Sequence, residues 1–401
     1  MTVDAAARAA DVARASYGKL VAIMASRSGD IMAAEDALAD AFVKALARWP
    51  TDGIPQRPEA WLLTVARNRL TDQVRRDWRL DFSDEVPEMP DTTQTRDEIP
   101  DERLKLMFVC AHPAIDPAVH TPLMLQTVLG LEAEQIAQAF LVSPAAMAQR
   151  LVRAKRKIKQ AGVPFALPGQ EVWPERMASV LEAVYAAYAV DWMCGDGELS
   201  HEAWFLSEIL TDVVQEPEVL GLASLIGFLH ARRHARVRDG VLVPLPEQDT
   251  GLWDAGMTER AEAVLQRAAG FGEIGRFQLE AAIQAVHAAR RTTGRIDWRA
   301  LSQLFVGLNS LYPTVGGRVS QAAVTAEDVG PAEGLRMLER IAPEDIVSFQ
   351  PAWAVRAHLN GALGRWEASA EAYDTAIHLS RDVPTRRWLE RKRASVKQRG
   401  A

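Results

Sequence analysis

Apolar residues recur along the whole chain three or four residues apart, which is the spacing of an amphipathic α-helix. The apolar face of the first predicted helix consists of Val12, Tyr17, Leu20 and Met24. No long alternation of apolar and polar residues, the pattern of a half-buried strand, interrupts this periodicity. The pattern therefore predicts an all-α protein.

A second helix is predicted from about Ile31 to Trp49, and its apolar face consists of Ala34, Leu38, Phe42 and Leu46. The segment 50–58 contains three prolines and a glycine, so we expect it to form a loop. A third helix is predicted from about residue 59 to 80.

Residues 81–102 differ from their surroundings in composition. They contain nine acidic residues, three prolines and a single basic residue, Arg96. Such a segment has too little apolar surface to order itself, and it is interpreted as an acidic linker. Helical periodicity resumes at Leu104 and continues to about residue 160, and a Pro/Gly-rich joint at 162–169 precedes a long C-terminal helical region.

The segment from Glu132 to Lys159 has the spacing of a helix-turn-helix. Ser143 is an N-cap and Pro144 a first helical residue for its second helix. This helix has no acidic residue between its basic ones, which are Arg150, Arg153, Lys155, Arg156, Lys157 and Lys159. Concentrated positive charge suits phosphate binding through counterion release. A basic amphipathic helix on a solvated surface is the simpler alternative.

The third predicted helix combines basic and aromatic residues. Its polar residues are Arg67, Asn68, Arg69, Gln73, Arg75, Arg76 and Arg79, and the nearby tryptophans are Trp49, Trp61 and Trp78. Aromatic rings among cations suit unpaired bases, which stack on ring faces while arginine meets the phosphates. The alternative for each tryptophan is a place in the core, which we favour for Trp61 and weigh evenly for Trp49.

Four carboxylates crowd the second helix and its start, at Asp30, Glu35, Asp36 and Asp40. A solvated helix face is the usual interpretation of such a cluster. The functional alternative is a docking surface for a basic helix of a partner protein.

Composition narrows the class of protein. The 401 residues suffice for at least two domains, and 48% hydrophobic with 25% charged residues is typical of globular proteins. A formal charge of −7 excludes a chain that is basic throughout but allows local basic patches. Cys110 and Cys194 cannot form a disulfide framework. Without a signal core or a membrane-length apolar stretch, we expect a cytoplasmic protein with no membrane partner.

Three of these segments together resemble the extracytoplasmic-function sigma factors, compact bacterial subunits that direct RNA polymerase to promoters. Segment 30–46 is similar to that family's region 2.2, segment 58–72 to its regions 2.3 and 2.4, and segment 134–156 to its region 4.2. They occur in the family's order. The resemblance implies two small helical sigma domains, 1–80 and 103–160, joined by the acidic linker 81–102.

The resemblance also implies roles for individual residues. The carboxylates of Asp30, Glu35, Asp36 and Asp40 would contact the clamp coiled coil of the polymerase largest subunit. Contacts with the −10 element would come from Arg67, Asn68, Arg75 and Arg76, with the loop 50–58 capturing a base. Contacts with the −35 element would come from Gln149, Arg150, Arg153 and Lys157. Alanines at 145, 146 and 148 stand where family members often carry a polar residue.

The region 171–401 resembles the subgroup whose C-terminal extension is helical and tetratricopeptide-like. The pattern of one repeat lies near 351–384, with Gly364 at a helix crossing and Tyr373 and Ala376 in the seam. The loop 247–254 is similar to a motif of that subgroup but has Thr250 where Arg often stands, and a structural turn over a buried Trp253 explains it equally well. We expect the extension to regulate the sigma domains or to contact polymerase, a regulatory protein or a small-molecule effector.

Two other classes of function are consistent with parts of the chain. An enzyme site within 171–290 predicts a concave pocket with clustered titratable groups. A helix-turn-helix regulator acting without polymerase leaves the acidic cluster and the aromatic-basic helix unexplained. The pairs Cys110/His112 and Cys194/His201 lack a second pair at zinc spacing. We therefore expect no catalytic residue, cofactor or metal, and a protein that is not an enzyme.

Overall fold

The computed structural model describes residues 5–80, 101–140, 142–194 and 198–400, with the backbone alone at 14–15, 73–80, 170, 192–194, 198 and 400. These residues form twenty α-helices and one two-stranded hairpin, so the all-α prediction is confirmed. The chain divides into two compact units, residues 1–213 and 214–401. Among the described helices, none combines the length and the apolar character needed to cross a membrane.

The first unit contains nine of the described helices: α1 Ala5–Ser28, α2 Ile31–Asp52, α3 Pro58–Leu80, α4 Glu102–Cys110, α5 Pro117–Thr127, α6 Ala133–Ala139, α7 Pro144–Gln160, α8 Trp173–Cys194 and α9 Glu198–Val213. Helix α1 packs against α2, α3 and α4, and α5 packs against α7 and α8. The core of this unit therefore joins the helices of the predicted sigma domains.

The boundaries of α2 differ in part from the predicted ones. The helix continues through Pro50 to Asp52 and ends at Gly53, whose positive φ of 85° favours glycine. Its buried residues are Ile31, Ala34, Ala37, Leu38, Ala41, Ala45 and Trp49. Leu46 was predicted on this face but is 49% exposed. The row of small alanines, and not the larger Leu46, faces α1 and α3, which allows the helix axes to approach closely.

Helix α4 begins inside the predicted acidic linker. Asp101 caps it by accepting hydrogen bonds from the Arg103 backbone N–H at 2.9 Å and from the Arg103 guanidinium. The linker residues 81–100 lie outside the described residues. The last two residues of the predicted linker, 101 and 102, are therefore part of a capped helix.

Helices α8 and α9, at the start of the predicted extension, belong to the first unit. Arg176 on α8 donates to the Phe108 carbonyl at 3.1 Å, and the rings of Phe108 and Trp173 lie 5.8 Å apart. Ser179 Oγ lies 3.1 Å from His120 Nδ1 on α5. These contacts fix α8 against α4 and α5, although the domain boundary at residue 171 itself stays a prediction.

The second unit contains eleven described α-helices: α10 Pro217–Ala231, α11 Ala255–Ala269, α12 Arg276–Ala288, α13 Arg290–Thr293, α14 Trp298–Leu311, α15 Val315–Asp328, α16 Pro331–Glu339, α17 Pro343–Ile346, α18 Gln350–Ala362, α19 Trp366–Leu379 and α20 Val383–Gly400. Strands β1 Val237–Arg238 and β2 Val241–Leu242 form a hairpin after α10. Consecutive long helices pack pairwise, which builds a row of small cores along the unit.

The predicted repeat near 351–384 corresponds to α18, α19 and the start of α20. Tyr373 and Ala376 are buried in the core between these helices, as expected of seam residues. Gly364 lies in the turn between α18 and α19 with a φ of 73°, and not at a helix crossing. The tetratricopeptide likeness itself stays a prediction.

Substituting Leu301→Ala should destabilise the second unit. Leu301 on α14 is 0% exposed, so removing its buried methyl groups leaves a cavity and should lower the free energy of unfolding by about 2–5 kcal/mol. Leu311→Ala on the same helix, where the side chain is 55% exposed, should change it by less than about 0.5 kcal/mol. Urea unfolding followed by helical circular dichroism measures both, and equal losses would contradict this core assignment.

Candidate DNA and polymerase interface

Helix α7 has an apolar face and a basic face. Ser143 caps it by accepting a hydrogen bond from the Ala146 N–H at 3.3 Å, and Pro144 occupies the first turn, as predicted. Met147, Leu151 and Ile158 are each 1% exposed, so this stripe fixes the rotation of the helix. The rotation leaves four predicted DNA contacts exposed: Gln149, Arg150, Arg153 and Lys157.

Helix α6 and the following turn support α7. The Glu132 backbone N–H at the start of α6 donates to Gln135 Oε1 at 2.9 Å, and Ile136 is buried. The Val142 N–H donates to the Ala137 carbonyl at 3.0 Å and closes the turn, whose residue 141 lies outside the described residues. On α7 itself, Arg153 Nη2 donates to Gln149 Oε1 at 3.3 Å, so the two side chains share one exposed patch.

Helix α3 presents part of the predicted −10 surface. Leu62 and Ala66 are 0% exposed and face the core, while Arg67 and Asn68 are exposed. The predicted contacts Arg75 and Arg76 belong to α3, but only their backbone is described. The same holds for Trp78.

The two tryptophans near α3 whose side chains are described differ in burial. Trp49 is 3% exposed and lies edge-on to Trp61 with ring centroids 5.6 Å apart, while Trp61 is half-buried. Trp49 is therefore a core residue.

The loop between α2 and α3 is shorter than the predicted base-capturing segment 50–58. Because α2 continues to Asp52 and α3 begins at Pro58, only residues 53–57 form the loop.

Three of the four predicted polymerase contacts are engaged within the first unit. Asp30 caps α2 by accepting from the Ala33 N–H at 3.1 Å, and its carboxylate lies 2.7 Å from Lys159 Nζ. The two Glu35 carboxylate oxygens accept from Lys155 Nζ at 2.6 and 2.7 Å. The Asp40 carboxylate accepts from Arg69 Nε at 2.6 Å.

Asp36 differs from the other three carboxylates because its side chain is exposed. Burial raises the pKa of Glu35, and the neighbouring Lys155 ammonium opposes that shift. Burial together with the charges of Glu35 and Asp36 raises the pKa of the Tyr17 hydroxyl to about 12. The acidic cluster thus has one solvated carboxylate and three that already contact cations.

Local sequence patterns identify Lys155 and Lys159 only as members of the basic helix and give Gly18 no role. Lys155 follows Leu151 by four residues and precedes Ile158 by three, so its spacing alone places it on the buried face of α7. That signal identifies the burial of Lys155 but not its partner, Glu35, which lies 120 residues earlier in the chain.

The loop 247–254 in the second unit forms a structural turn. Trp253 is 7% exposed, and the Arg290 guanidinium stacks over its ring at 5.2 Å and donates to the Gln248 carbonyl at 2.5 Å. Asp254 caps α11 by accepting from the Met257 N–H at 2.9 Å. These contacts account for the Trp, the Asp and the turn without a ligand.

A cavity of about 10 Å³ lies beside Trp253, lined also by Arg232, Thr258 and His287. That volume has room for about one water molecule, which is far below the size of a substrate pocket. Burial, together with the positive charges of Arg232 and Arg290, lowers the pKa of His287 to about 4. The arrangement keeps this imidazole neutral near pH 7.

Across the described parts of the chain, no three His, Cys, Asp or Glu side chains are grouped to hold a metal ion. Cys110 is buried, and its Sγ atom lies 3.5 Å from Thr127 Oγ1. Burial raises the pKa of this thiol to about 12. His112 Nδ1 accepts from the Ala114 N–H at 3.1 Å. The side chain of Cys194 is outside the described residues.

Two family models match the chain. Residues 12–80 match sigma-70 region 2, and residues 176–269 match a family of unknown function, DUF6596. A protein of Rhizobium meliloti (strain 1021) described as uncharacterized is 34% identical over an alignment of 368 positions, and the alignment covers 86% of each chain. No solved structure matches.

The second unit should lose stability as the pH falls from about 6.5 to 4. The unfolded chain binds a proton at His287 near its ordinary pKa, whereas the folded unit resists protonation until about pH 4. His287→Gln should make the unfolding midpoint less dependent on pH in this window. The control is His358→Gln. Because the His358 side chain is 62% exposed, this variant should retain the pH dependence of the wild-type unfolding midpoint. Urea unfolding at several pH values tests this, and an unchanged slope in H287Q would contradict it.

Proposed function

Because the chain belongs to the sigma-70 family and carries a C-terminal extension, we propose that it binds core RNA polymerase and directs it to promoters whose −10 and −35 elements it reads. The observation that carries the proposal is the match of residues 12–80 to sigma-70 region 2 beside an exposed basic helix-turn-helix in the same unit. In this proposal polymerase performs the chemistry, and the chain acts in the cytoplasm.

The exposed face of α7 suits the major groove of the −35 element. A recognition helix contacts base edges with its N-terminal part, where Gln149 and Arg150 lie, and Arg153 follows about one turn after Arg150. A glutamine amide can pair with adenine, and an arginine guanidinium with guanine. Lys157, one turn after Arg153, is placed for a phosphate contact, which contributes affinity but no base preference. The Arg153–Gln149 hydrogen bond would orient both side chains before DNA arrives.

The −10 element is assigned to α3. Arg67 and Asn68 lie next to each other on the exposed face of this helix, with the loop 53–57 at its start. Their proposed partners are unpaired bases and the phosphates beside them. Arg75 and Arg76, later in the same helix, are also assigned to the −10 element.

The polymerase contact is assigned to the acidic cluster of α2. A basic helix of the polymerase clamp would meet Asp36 first, because its carboxylate is exposed. Asp30, Glu35 and Asp40 complete the proposed surface. This arrangement gives the cluster a function that a regulator acting without polymerase does not need.

The second unit is proposed as a regulatory module of tetratricopeptide type. The pairing of α18 with α19 over Tyr373 and Ala376 supports that architecture. The cavity of about 10 Å³ beside Trp253 is too small for a metabolite, so a regulatory protein or a small-molecule effector would bind the second unit elsewhere.

A titration of fluorescently labelled full-length chain against bacterial core RNA polymerase tests the central proposal. Saturable binding, followed by promoter-dependent initiation from a library of DNA templates, is the expected result. Binding to duplex DNA with no binding to polymerase would overturn the proposal and favour the helix-turn-helix regulator.

Replacing Arg150 and Arg153 with alanine should weaken binding to −35 DNA. Each base-reading contact contributes about 1–3 kcal/mol, and the loss should differ between the cognate and a scrambled −35 sequence. Arg340→Ala, a change at an exposed arginine in the second unit, is the matched control. Electrophoretic mobility shifts at fixed salt measure the affinities, and equal affinities of the double variant and wild type would refute the α7 assignment.

Reversing the charge at Asp36 should weaken binding to core polymerase. Asp36→Lys replaces the exposed carboxylate of the cluster with a cation that repels a basic partner. Asp52→Lys, also exposed on α2 but outside the cluster, is the control with the same charge change. Biolayer interferometry should show a slower association for D36K alone, and an equal effect of both variants would indicate a general charge effect.

A further inference from the structure

The second unit carries two strongly basic segments. Helix α20 contains seven basic residues and a single acidic one, Glu390. Residues 232–242, which lead into and form the hairpin of β1 and β2, contain four arginines and a single acidic residue, Asp239. These concentrations of positive charge occur in a chain whose net charge is −7. Neither segment has a role in the proposed function.

The fold brings the two basic segments together. Strand β2 packs against α20, and Arg387 Nη1 of α20 donates to the Gly240 carbonyl of the hairpin at 3.5 Å. Lys392 Nζ, further along α20, lies 3.0 Å from Glu247 Oε1, five residues after β2. These contacts join residues 147 and 145 positions apart in the chain, so the combined surface exists only in the folded unit.

The hairpin has a fixed shape. Its two-residue turn is Asp239-Gly240, and both residues have positive φ, 54° and 71°. A type I′ turn requires positive φ at both central residues, and Asp-Gly is one of its favoured sequences. Arg238 stands directly before this turn and is exposed. The turn therefore places Arg238 two residues from the point where Arg387 contacts the hairpin.

Helix α20 separates its cations into an inner and an outer group. Leu389 is 0% exposed in the core shared with α19, and it fixes the rotation of the helix. Arg387 and Arg391, four residues apart and therefore on one face, are both exposed. Arg393, by contrast, pairs with Asp374 of α19 at 2.6 Å. The rotation of α20 thus neutralises a cation beside α19 and leaves two arginines in contact with solvent.

We define the basic surface by five exposed arginines of the two segments: Arg233, Arg238, Arg386, Arg387 and Arg391. Within the described part of the chain, none of them forms an ion pair with a carboxylate. Arg233 Nη1 and Arg386 Nη2 donate instead to backbone carbonyls, at 3.0 and 2.7 Å. A neutral acceptor of this kind orients a guanidinium group and leaves its charge in place.

Such a surface fits a phosphate backbone. A guanidinium group can bind a phosphate through two parallel hydrogen bonds, and duplex DNA presents a regular row of phosphates. Each phosphate contact releases condensed counterions and so contributes to affinity. Among the described residues of the two segments, the exposed large apolar ones are Val237 and Val383, whereas protein interfaces have a core rich in aromatic residues. The chemistry therefore favours DNA over a protein partner.

We propose that the basic surface of the second unit binds the phosphate backbone of duplex DNA and reads no base sequence. The proposed function assigns DNA contacts to α3 and α7 alone, so this inference adds a contact made by the extension. It rests on the proposed function in one respect, because promoter DNA is then the duplex that the chain meets. The contact raises affinity equally for all sequences and weakens steeply with salt concentration.

Removing two cations of the basic surface should lower the salt dependence of DNA binding. The test variant is the full-length chain with Arg387→Ala and Arg391→Ala, and the ligand is a fluorescent duplex of random sequence. At about 0.9 per phosphate contact, the slope of log affinity against log salt concentration should become less steep by about 1.8. Fluorescence anisotropy titrations at several salt concentrations measure this slope.

Two control variants separate charge from structure. Arg336→Ala with Arg340→Ala removes two exposed arginines, also four residues apart, at the end of α16 and should leave the slope unchanged. Arg387→Lys with Arg391→Lys keeps both charges and should retain the wild-type slope, because counterion release depends on charge. An equal loss of slope in this lysine variant would mean that the contact of Arg387 with Gly240 is responsible, and would overturn the proposal.

A crosslinking experiment identifies the macromolecule that the basic surface meets. The photoreactive residue p-benzoylphenylalanine replaces Gln398, which is exposed on α20 seven residues after Arg391, or Glu339, which is exposed on α16. The full-length chain is then irradiated together with core RNA polymerase and promoter DNA. The expected crosslink joins position 398 to DNA and weakens in the R387A/R391A variant, while position 339 gives none.

The outcomes distinguish this inference from the proposed function. A crosslink from position 398 to a polymerase subunit instead of DNA would overturn the inference and indicate an acidic protein partner. An unchanged salt slope of R387A/R391A, with no crosslink to DNA, would also overturn it. If the chain failed to bind polymerase but the slope and the DNA crosslink changed as expected, the proposed function would fail and the basic surface would remain a DNA-binding surface.

Discussion

The pairing of Lys155 with Glu35 is the constraint on which the first unit depends. Helix α7 must bury Met147, Leu151 and Ile158, and that rotation also turns Lys155 inward. A buried ammonium group requires a partner, because an unpaired charge at such a site is strongly destabilising. Glu35 meets the requirement at 2.6 Å, so the rotation of α7, its position on α2 and the state of the acidic cluster are all determined together.

This constraint divides the charged side chains of the first unit into two groups. The cations on the outer face of α7 are exposed and can contact phosphates, while Lys155 on its inner face forms an ion pair with Glu35 of α2. In the same way, Asp36 is solvated and Glu35 is not. The net charge of −7 is therefore the sum of local surfaces of both signs, and two of these surfaces neutralise each other where α7 meets α2.

The sequence predicted the elements better than their contacts. Helical periodicity, the Ser143 cap and Pro144 located α7 and its exposed face, because those features depend on residues a few positions apart. Leu46 was misplaced because periodicity alone cannot distinguish a row of alanines that packs closely from a larger side chain one position away. The Lys155–Glu35 pair and the contact of Gly18 with Val128 join segments more than 100 residues apart, and local patterns do not determine them.

The extension is not a simple addition after a complete sigma module. The residues that match DUF6596 begin at 176, inside α8. Arg176 of this helix donates to the Phe108 carbonyl of α4, and Ser179 contacts His120 of α5. A chain cut before α8 would lose these partners and expose the buried faces of α4 and α5. Because α4 also packs on α1, α8 supports the part of the core in which α4 and α1 meet. The start of the predicted extension therefore contributes to the stability of α4 and α5 through packing within the first unit.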